Sequence, residues 1–213
     1  MGKRHLDITT ISENRGTAGP AGKVGCTYMF ASVKLYTPLG FNPWPDDERE
    51  LAKVRLIYAR CLEKKIPITT HCSGGGYLTD PRGEDFSNPG RNRKKVLSHP
   101  DYQYLKIDFA HFGHQQSGAT DWKQSILSYF RTHPNVYSDI SCCGFSSGFY
   151  QSFKTYLNPS DINHFLFGSD FLINLLWIDS YNQYLDLFLS DQNLDEPAKL
   201  QLCNINAEKF LFG

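Results

Sequence analysis

The sequence predicts an α/β fold with a parallel sheet, of the (β/α) barrel type. Short apolar runs rich in β-branched residues alternate along the chain with longer segments that carry apolar residues at helical spacing. Three of these runs end on a polar residue, namely His71, His111 or Asp170, beside loop-forming glycines. The intervals from His71 to His111, on to Ser141 and then to Asp170 each accommodate one βα unit. Because function in such barrels collects at the carboxyl ends of the strands, we expect these polar residues at one face.

The composition is that of a globular protein and argues against two classes of partner. The chain has 213 residues, enough for one substantial domain, with 22 Lys plus Arg against 22 Asp plus Glu. There is no basic excess to indicate nucleic acid or an anionic membrane, and no apolar segment approaches the roughly 20 residues that span a bilayer. The six cysteines form no C-x-x-C pair, and we interpret them as reduced core thiols. With no signal-peptide pattern at the N-terminus, a cytoplasmic location is expected.

The first part of the chain divides into a loop and the start of the barrel. Residues 1–30 are glycine-rich and are predicted to be a loop or linker, with residues 31–213 forming the barrel domain. Residues 33–36 alternate and are β-prone, which predicts a strand. Asp46 is a plausible N-cap, and apolar residues then recur at helical spacing, which predicts a helix over 47–64.

The middle of the chain carries two further strands and a long loop. An apolar run over 66–71 predicts a strand, and residues 72–92 are polar and glycine-rich, which predicts a long loop. A short helix is expected over 91–97, and the next strand over 105–109.

The last part continues the alternation. An amphipathic pattern predicts a helix over 121–133, and alternating residues predict a strand over 136–140. A further strand is expected over 165–167. The remaining predicted helices are 149–157, 177–189, one opened by Asp195-Glu196-Pro197, and 206–212.

Five segments of this sequence resemble the amidohydrolase superfamily. They read ITTHCSGGG, DFAHFGH, VYSDIS, FLFGSDF and NAEKFLFG, and they are most similar to the amidohydrolase-related, aminocarboxymuconate-semialdehyde-decarboxylase-like branch. In that family a histidine ends the fifth strand, another ends the sixth, and an aspartate in a Gly-Ser-Asp motif ends the eighth. The resemblance covers roughly residues 31–213 and implies a TIM barrel that is incomplete here. Strands four to eight are recognisable and strands one to three are missing.

The resemblance implies metal-assisted chemistry. His71 and Asp170 would be metal ligands, and a divalent ion, with zinc as the expected ion, would activate a water molecule. His111 would position or deprotonate that water or polarise the substrate, and Asp170 would also act as a general base. The family's His-x-His pair, which supplies two metal ligands, is absent from this sequence. Because zinc needs further donors, we expect weak or no metal binding by this chain alone.

Several other residues are candidates with alternatives. Lys34 would contact the substrate or, carboxylated, bridge two metals, and its alternative is a surface lysine. Arg82 would grip a substrate carboxylate, or is a solvated loop charge. Asp139 would orient site residues or is structural, and His114 is expected to be a loop residue. Cys142-Cys143 invites a nucleophile interpretation, but with no basic partner evident in the sequence we favour buried thiols.

Two functions therefore remain open at the level of sequence. The first is a metal-dependent hydrolase that breaks C–N or C–O bonds, or a decarboxylase, acting on a small carboxylate or amide-like molecule. The alternative is a shortened, non-catalytic barrel fragment that acts as a binding or partner protein. Missing strands would leave sheet edges uncovered, so a homo-oligomer or pairing with a separately encoded N-terminal half is expected.

Overall fold

The computed structural model describes residues 31–146 and 148–213, and the predicted loop over 1–30 lies outside these ranges. Within them the chain forms one five-stranded sheet in which every neighbouring pair is parallel and the strands follow their order in the sequence. All five predicted strands are confirmed. They are β1 (Val33–Leu35), β2 (Ile68–Ser73), β3 (Ile107–His114), β4 (Val136–Asp139) and β5 (Phe165–Leu166).

Helices connect the strands, as the alternating pattern predicts. The α-helices are α1 (Glu48–Lys64), α2 (Gly83–Ser87), α3 (Asn92–Ser98), α4 (Asp121–Phe130), α5 (Phe149–Phe153), α6 (Phe171–Asn174), α7 (Tyr181–Ser190), α8 (Glu196–Leu200) and α9 (Asn206–Phe212). Short 3-10 turns span Thr37–Leu39, Lys154–Tyr156 and Asp161–His164, and a π-helical turn over Gln201–Ile205 joins α8 to α9.

Several predicted boundaries were wrong, and four of the differences have a local reason. The N-cap of α1 is Asp47 rather than Asp46, and its carboxylate accepts from two backbone N–H groups. Residues 72–92 are not a continuous loop, since they contain α2. Helix α4 stops at Phe130, just before the segment that leads into a proline. Helix α7 begins later than predicted because the Ser180 side chain caps it by accepting from Gln183 N–H.

One face of the sheet carries the apolar core. Ile68, Ile107, Val136 and Phe165 are fully buried on successive strands and belong to one cluster with the inner faces of the connecting helices. The alternation of side chains along each strand sends their neighbours to the opposite face.

The other face is polar, and it positions the site. Lys34, Thr69, Asp108 and Tyr137 are register partners on β1 to β4, so their side chains share this face. At the end of this face towards the N-termini of the strands, Tyr137 packs with Leu166 and with Phe210 of α9. That packing closes one end of the face and leaves the carboxyl end open.

The cysteines match the expectation of core thiols in part. Cys61, Cys72 and Cys143 are buried free thiols, whereas Cys142 is half-buried and Cys203 is exposed. Among the described residues, no helix combines the length and the apolar character needed to cross a membrane.

Candidate functional site

A cavity of about 410 Å³ opens at the carboxyl edge of the sheet. The cavity is lined by four of the residues identified from the sequence, each on a different strand or in the loop after that strand: Lys34, His71, His111 and Asp170. His114 lines it as well, although it was expected to be a plain loop residue. Strand β3 explains this, because it continues through His114 instead of ending at Phe109.

His71 is a buried, neutral imidazole with one unused ring nitrogen. Its Nε2 lies 2.9 Å from the carbonyl oxygen of Gly75 and therefore donates to it, while its buried Nδ1 has no partner. Burial, and next the positive charge of His111, lower the pKa of His71 to about 4. The ring is thus uncharged near neutral pH, with a lone pair on Nδ1.

The glycine-rich loop is needed for this contact. Gly76 has φ +111°, and a Cβ at this position would lie 2.8 Å from the Tyr36 hydroxyl and 3.3 Å from His71 Nε2. Glycine adopts this conformation readily and leaves that space free, which gives a physical reason for Gly76 at the end of the glycine run.

His111 sits in an unusual backbone conformation at the centre of the site. His111, Phe112 and Gly113 all have positive φ, at 67°, 45° and 59°. Two of these are not glycine, so the segment stores strain of the kind found at functional sites. The backbone N–H of His111 donates to Asp139 Oδ1 at 2.9 Å, which holds this conformation in place.

The side chain of His111 bridges two other residues. Its Nδ1 lies 3.1 Å from the carbonyl oxygen of Ser141 and 3.0 Å from Ser141 Oγ. Its Nε2 lies 3.9 Å from Asp170 Oδ2, on the cavity side. The ring centroids of His71 and His111 are 4.9 Å apart, so the two imidazoles are in edge contact.

Two buried carboxyl groups lie beneath His111. Burial alone would raise the pKa of Asp139, but the charges of His111 and Lys34 and the hydrogen bonds from His111 N–H and Ser141 hold it below the ordinary value. Burial and the charge of Asp139 together raise the pKa of Asp108 well above its ordinary value. Asp139 is thus the ionised member of the pair and Asp108 the protonated one.

Asp170 follows β5 and presents its carboxylate to the cavity. It has φ +50°, its side chain is 39% exposed, and it makes no capping hydrogen bond to α6. Its side chain therefore does not act as a helix N-cap and is left available to the cavity.

Of the two predicted substrate-binding residues, Lys34 lines the cavity and Arg82 does not. Lys34 is exposed, and within the described residues its ammonium group makes no hydrogen bond or ion pair, although its charge acts on Asp139 and Asp108. Arg82 is not brought to the cavity, and its predicted role in substrate binding is not supported. Its guanidinium, 69% exposed, instead forms a two-point contact with Asp80 at 2.8 and 3.1 Å. Its partner in the structure is thus the carboxylate two residues away along the loop.

Cys142 and Cys143 line the cavity but are not activated nucleophiles. Burial raises the pKa of Cys142 to about 11, with the charge of Asp170 next in importance, and burial also raises the pKa of Cys143. Both thiols are therefore protonated at neutral pH, although only Cys143 is buried, whereas the prediction had both buried.

Some contributors were missed by sequence reasoning. Ser141 entered that reasoning only as a strand-end marker, although its position two residues after Asp139 was visible in the VYSDIS segment. Phe145 and Trp177 stack at 5.0 Å with nearly parallel rings and form one wall of the cavity. No sequence signal joins these two residues, because they come from separate loops.

The donors of the described residues do not complete a metal site. A zinc ion takes about four ligands at roughly 2.0–2.3 Å. In the ranges 31–146 and 148–213, no group of three or more His, Cys, Asp or Glu side chains is placed to hold an ion. His71 is prepared for such a role, since a metal-binding histidine typically donates its other N–H to a carbonyl as His71 does to Gly75. The set nevertheless falls short of the ligands that the resemblance implies.

Comparison with known proteins agrees with the fold. A sequence family described as Amidohydrolase matches residues 13–213 of this chain. Among solved structures, an uncharacterised TIM-barrel protein from Bordetella bronchiseptica is similar, with a TM-score of 0.61 and 22% sequence identity. The similarity covers 85% of this chain and 57% of that one, so the chain spans little more than half the length of that barrel.

At this level of identity the likeness shows the fold alone, and the five-stranded sheet is an incomplete (β/α) barrel. The decarboxylase-like branch is not confirmed by either match. No curated protein matches the chain.

Proposed function

The chain belongs to the amidohydrolase family, and from that premise we propose that its cavity is the acid–base and substrate-binding part of a metal-dependent hydrolase site. The reaction class is hydrolysis of a C–N or C–O bond, or decarboxylation, of a small carboxylate or amide-like molecule. One observation carries the proposal: His71, His111 and Asp170 converge at the carboxyl edge of a parallel sheet. Family membership favours this function over a non-catalytic fragment.

Asp170 and His111 are the proton-transfer pair of the proposal. The Asp170 carboxylate is partly exposed in the cavity and its Oδ2 lies 3.9 Å from His111 Nε2, too far for a direct hydrogen bond but close enough for both groups to contact one water molecule and exchange a proton through it. Asp170 is placed to return that proton to a leaving group. These steps use atoms of this chain only.

Substrate orientation falls to two further groups that line the cavity. The Lys34 ammonium, which lines the cavity and forms no hydrogen bond or ion pair with the described residues, offers a cation for a substrate carboxylate. The stacked pair of Phe145 and Trp177 offers an apolar wall, with Trp177 still 55% exposed. A divalent metal, as the family usually binds, would need donors in addition to those described, and zinc is the ion we propose.

The experiment is a turnover assay with matched variants. Small carboxylate-bearing amides, esters and lactones, and carboxylates that can lose CO₂, are offered to the purified chain with Zn²⁺, with Mn²⁺ and with no added metal. We expect Asp170→Asn and His111→Gln to lower kcat/KM by about 100-fold or more. The control Asp186→Asn, on the exposed face of α7, should stay near the wild-type value.

Lys34 has its own readout in the same assay. Lys34→Ala is expected to raise KM for carboxylate-bearing substrates and to leave KM for uncharged analogues unchanged. Absence of turnover under every metal condition, or turnover that survives Asp170→Asn, would contradict the proposed function.

A further inference from the structure

We propose that the hydroxyl of Ser141, held by Asp139, is a positioning group that fixes His111 in the tautomer with its proton on Nδ1. Nε2 is then the unprotonated ring nitrogen, the one that faces Asp170 and the cavity. The role of Nε2 as a base rests on the proposed function, but the tautomer itself is a property of the folded chain.

A backbone carbonyl lies next to the imidazole ring of His111. His111 Nδ1 lies 3.1 Å from the backbone oxygen of Ser141, and a carbonyl has no proton to give. The contact is attractive only when Nδ1 carries the hydrogen. In the neutral ring, Nε2 therefore holds the lone pair.

The direction of the Ser141 hydroxyl bond favours the same tautomer. Ser141 Oγ lies 2.6 Å from Asp139 Oδ1 and 3.0 Å from His111 Nδ1. A carboxylate only accepts, so the hydroxyl hydrogen goes to Asp139 and the oxygen lone pair remains to accept from Nδ1–H. The chain of donors thus runs from His111 to Ser141 to Asp139.

Further hydrogen bonds keep the Asp139 carboxylate from turning away from Ser141. The same Oδ1 atom also accepts from the backbone N–H of His111 and of Ser141, each at 2.9 Å. Asp139 is buried, and so is Ser141, at 5% exposure, so water does not compete for these bonds. The network therefore selects one tautomer before any substrate binds.

The test is a direct observation of the His111 ring by ¹⁵N NMR. Long-range ¹H–¹⁵N correlation spectra of ¹⁵N-histidine-labelled chain, recorded with a chelator at a pH where the ring is neutral, show which nitrogen carries the proton. The chain has seven histidines, so the His111 signals are assigned by their loss in His111→Gln. We expect the wild-type ring to be the Nδ1–H tautomer.

Variants separate the hydroxyl from the carbonyl. Ser141→Ala keeps the backbone oxygen and removes the hydroxyl, and it should lower the ratio of Nδ1–H to Nε2–H about five- to tenfold, the effect of one net hydrogen bond. Ser141→Thr restores the hydroxyl and should restore the ratio. The matched control is Ser138→Ala, which removes an equally buried hydroxyl that bonds to Phe109 O on the other face of the sheet.

Each outcome is decisive. A wild-type Nε2–H tautomer overturns the inference, and so does an Nδ1–H ratio that Ser141→Ala leaves unchanged or that Ser138→Ala changes equally. Because no turnover is measured, an Nδ1–H tautomer in a chain without hydrolytic activity would contradict the proposed function and leave this inference standing.

Discussion

The free energy of unfolding is expected to fall as the pH drops from about 6.5 to 4, and His71 is the group responsible. Its pKa is lowered from 6.5 to about 4, first by burial and then by the charge of His111. Because the folded pKa lies below the unfolded one, the unfolded chain takes up the proton first. The contribution of His71 is therefore complete above about pH 6.5 and is lost progressively towards pH 4.

The magnitude follows from the same pKa values. At about 1.36 kcal/mol for each pKa unit, the shift corresponds to about 3 kcal/mol over the whole range, of which about 2 kcal/mol is lost by pH 5. The side chain is only 4% exposed, so little of this is screened by solvent. That amount is a large fraction of the stability of an ordinary domain.

The assay is urea unfolding followed by circular dichroism at pH 7 and pH 5, with a chelator present. Wild-type chain is expected to lose about 2 kcal/mol more between these pH values than His71→Gln. His99→Gln is the matched control, because His99 packs on Trp44 outside the cavity, and it should follow the wild type. Equal losses for wild type and His71→Gln would refute the argument.

Three further predictions concern stability. Gly113→Ala should lower the free energy of unfolding in urea by more than about 2 kcal/mol, because φ is +59° and the new Cβ would lie 3.0 Å from Trp122 Cβ. The control Gly118→Ala has φ +79° but nothing within 4 Å of the new Cβ, and it should lower the free energy of unfolding by only about 1 kcal/mol. Equal losses in the two variants would contradict the steric explanation. Asn206→Ala should lower the free energy of unfolding by about 1–3 kcal/mol, because Asn206 Nδ2 donates to two backbone carbonyls at 2.7 and 2.8 Å. The wild type should lose stability as the pH rises from the ordinary carboxyl range through the raised pKa of Asp108, at about 1.4 kcal/mol per pKa unit. Asp108→Asn cannot ionise, so the variant should not show this loss. An unchanged pH profile in the variant would contradict the prediction.

Much of the sheet was predictable because its signals are local. Helix α1 has apolar residues at helical spacing and an acidic N-cap, and both act within a few residues. Strands with buried β-branched cores, such as β2, stand out for the same reason. The extent of β3 was underestimated, since Gly113 indicates a break by its residue type, whereas the observed strand continues with three residues at positive φ.

The site was predictable only as a set of strand ends. His71, His111 and Asp170 were identified from their positions after apolar runs, and the structure places all three around one cavity. Arg82 shows where that reasoning fails, because a charge in a loop carries no local sign of which partner it will meet. The same limit hid the stacking of Phe145 on Trp177.

The sequence by itself determined the alternation of strands and helices, the parallel order of the sheet and the polar residue at each of three strand ends, because periodicity and glycine act over a few neighbouring residues. Only the tertiary structure decided which polar groups meet. The register between strands places Asp139 under His111 and sends Lys34 to the same face as Asp108. Register depends on hydrogen bonds between residues far apart in the chain, and so does the choice of the His111 nitrogen that is left free for the cavity.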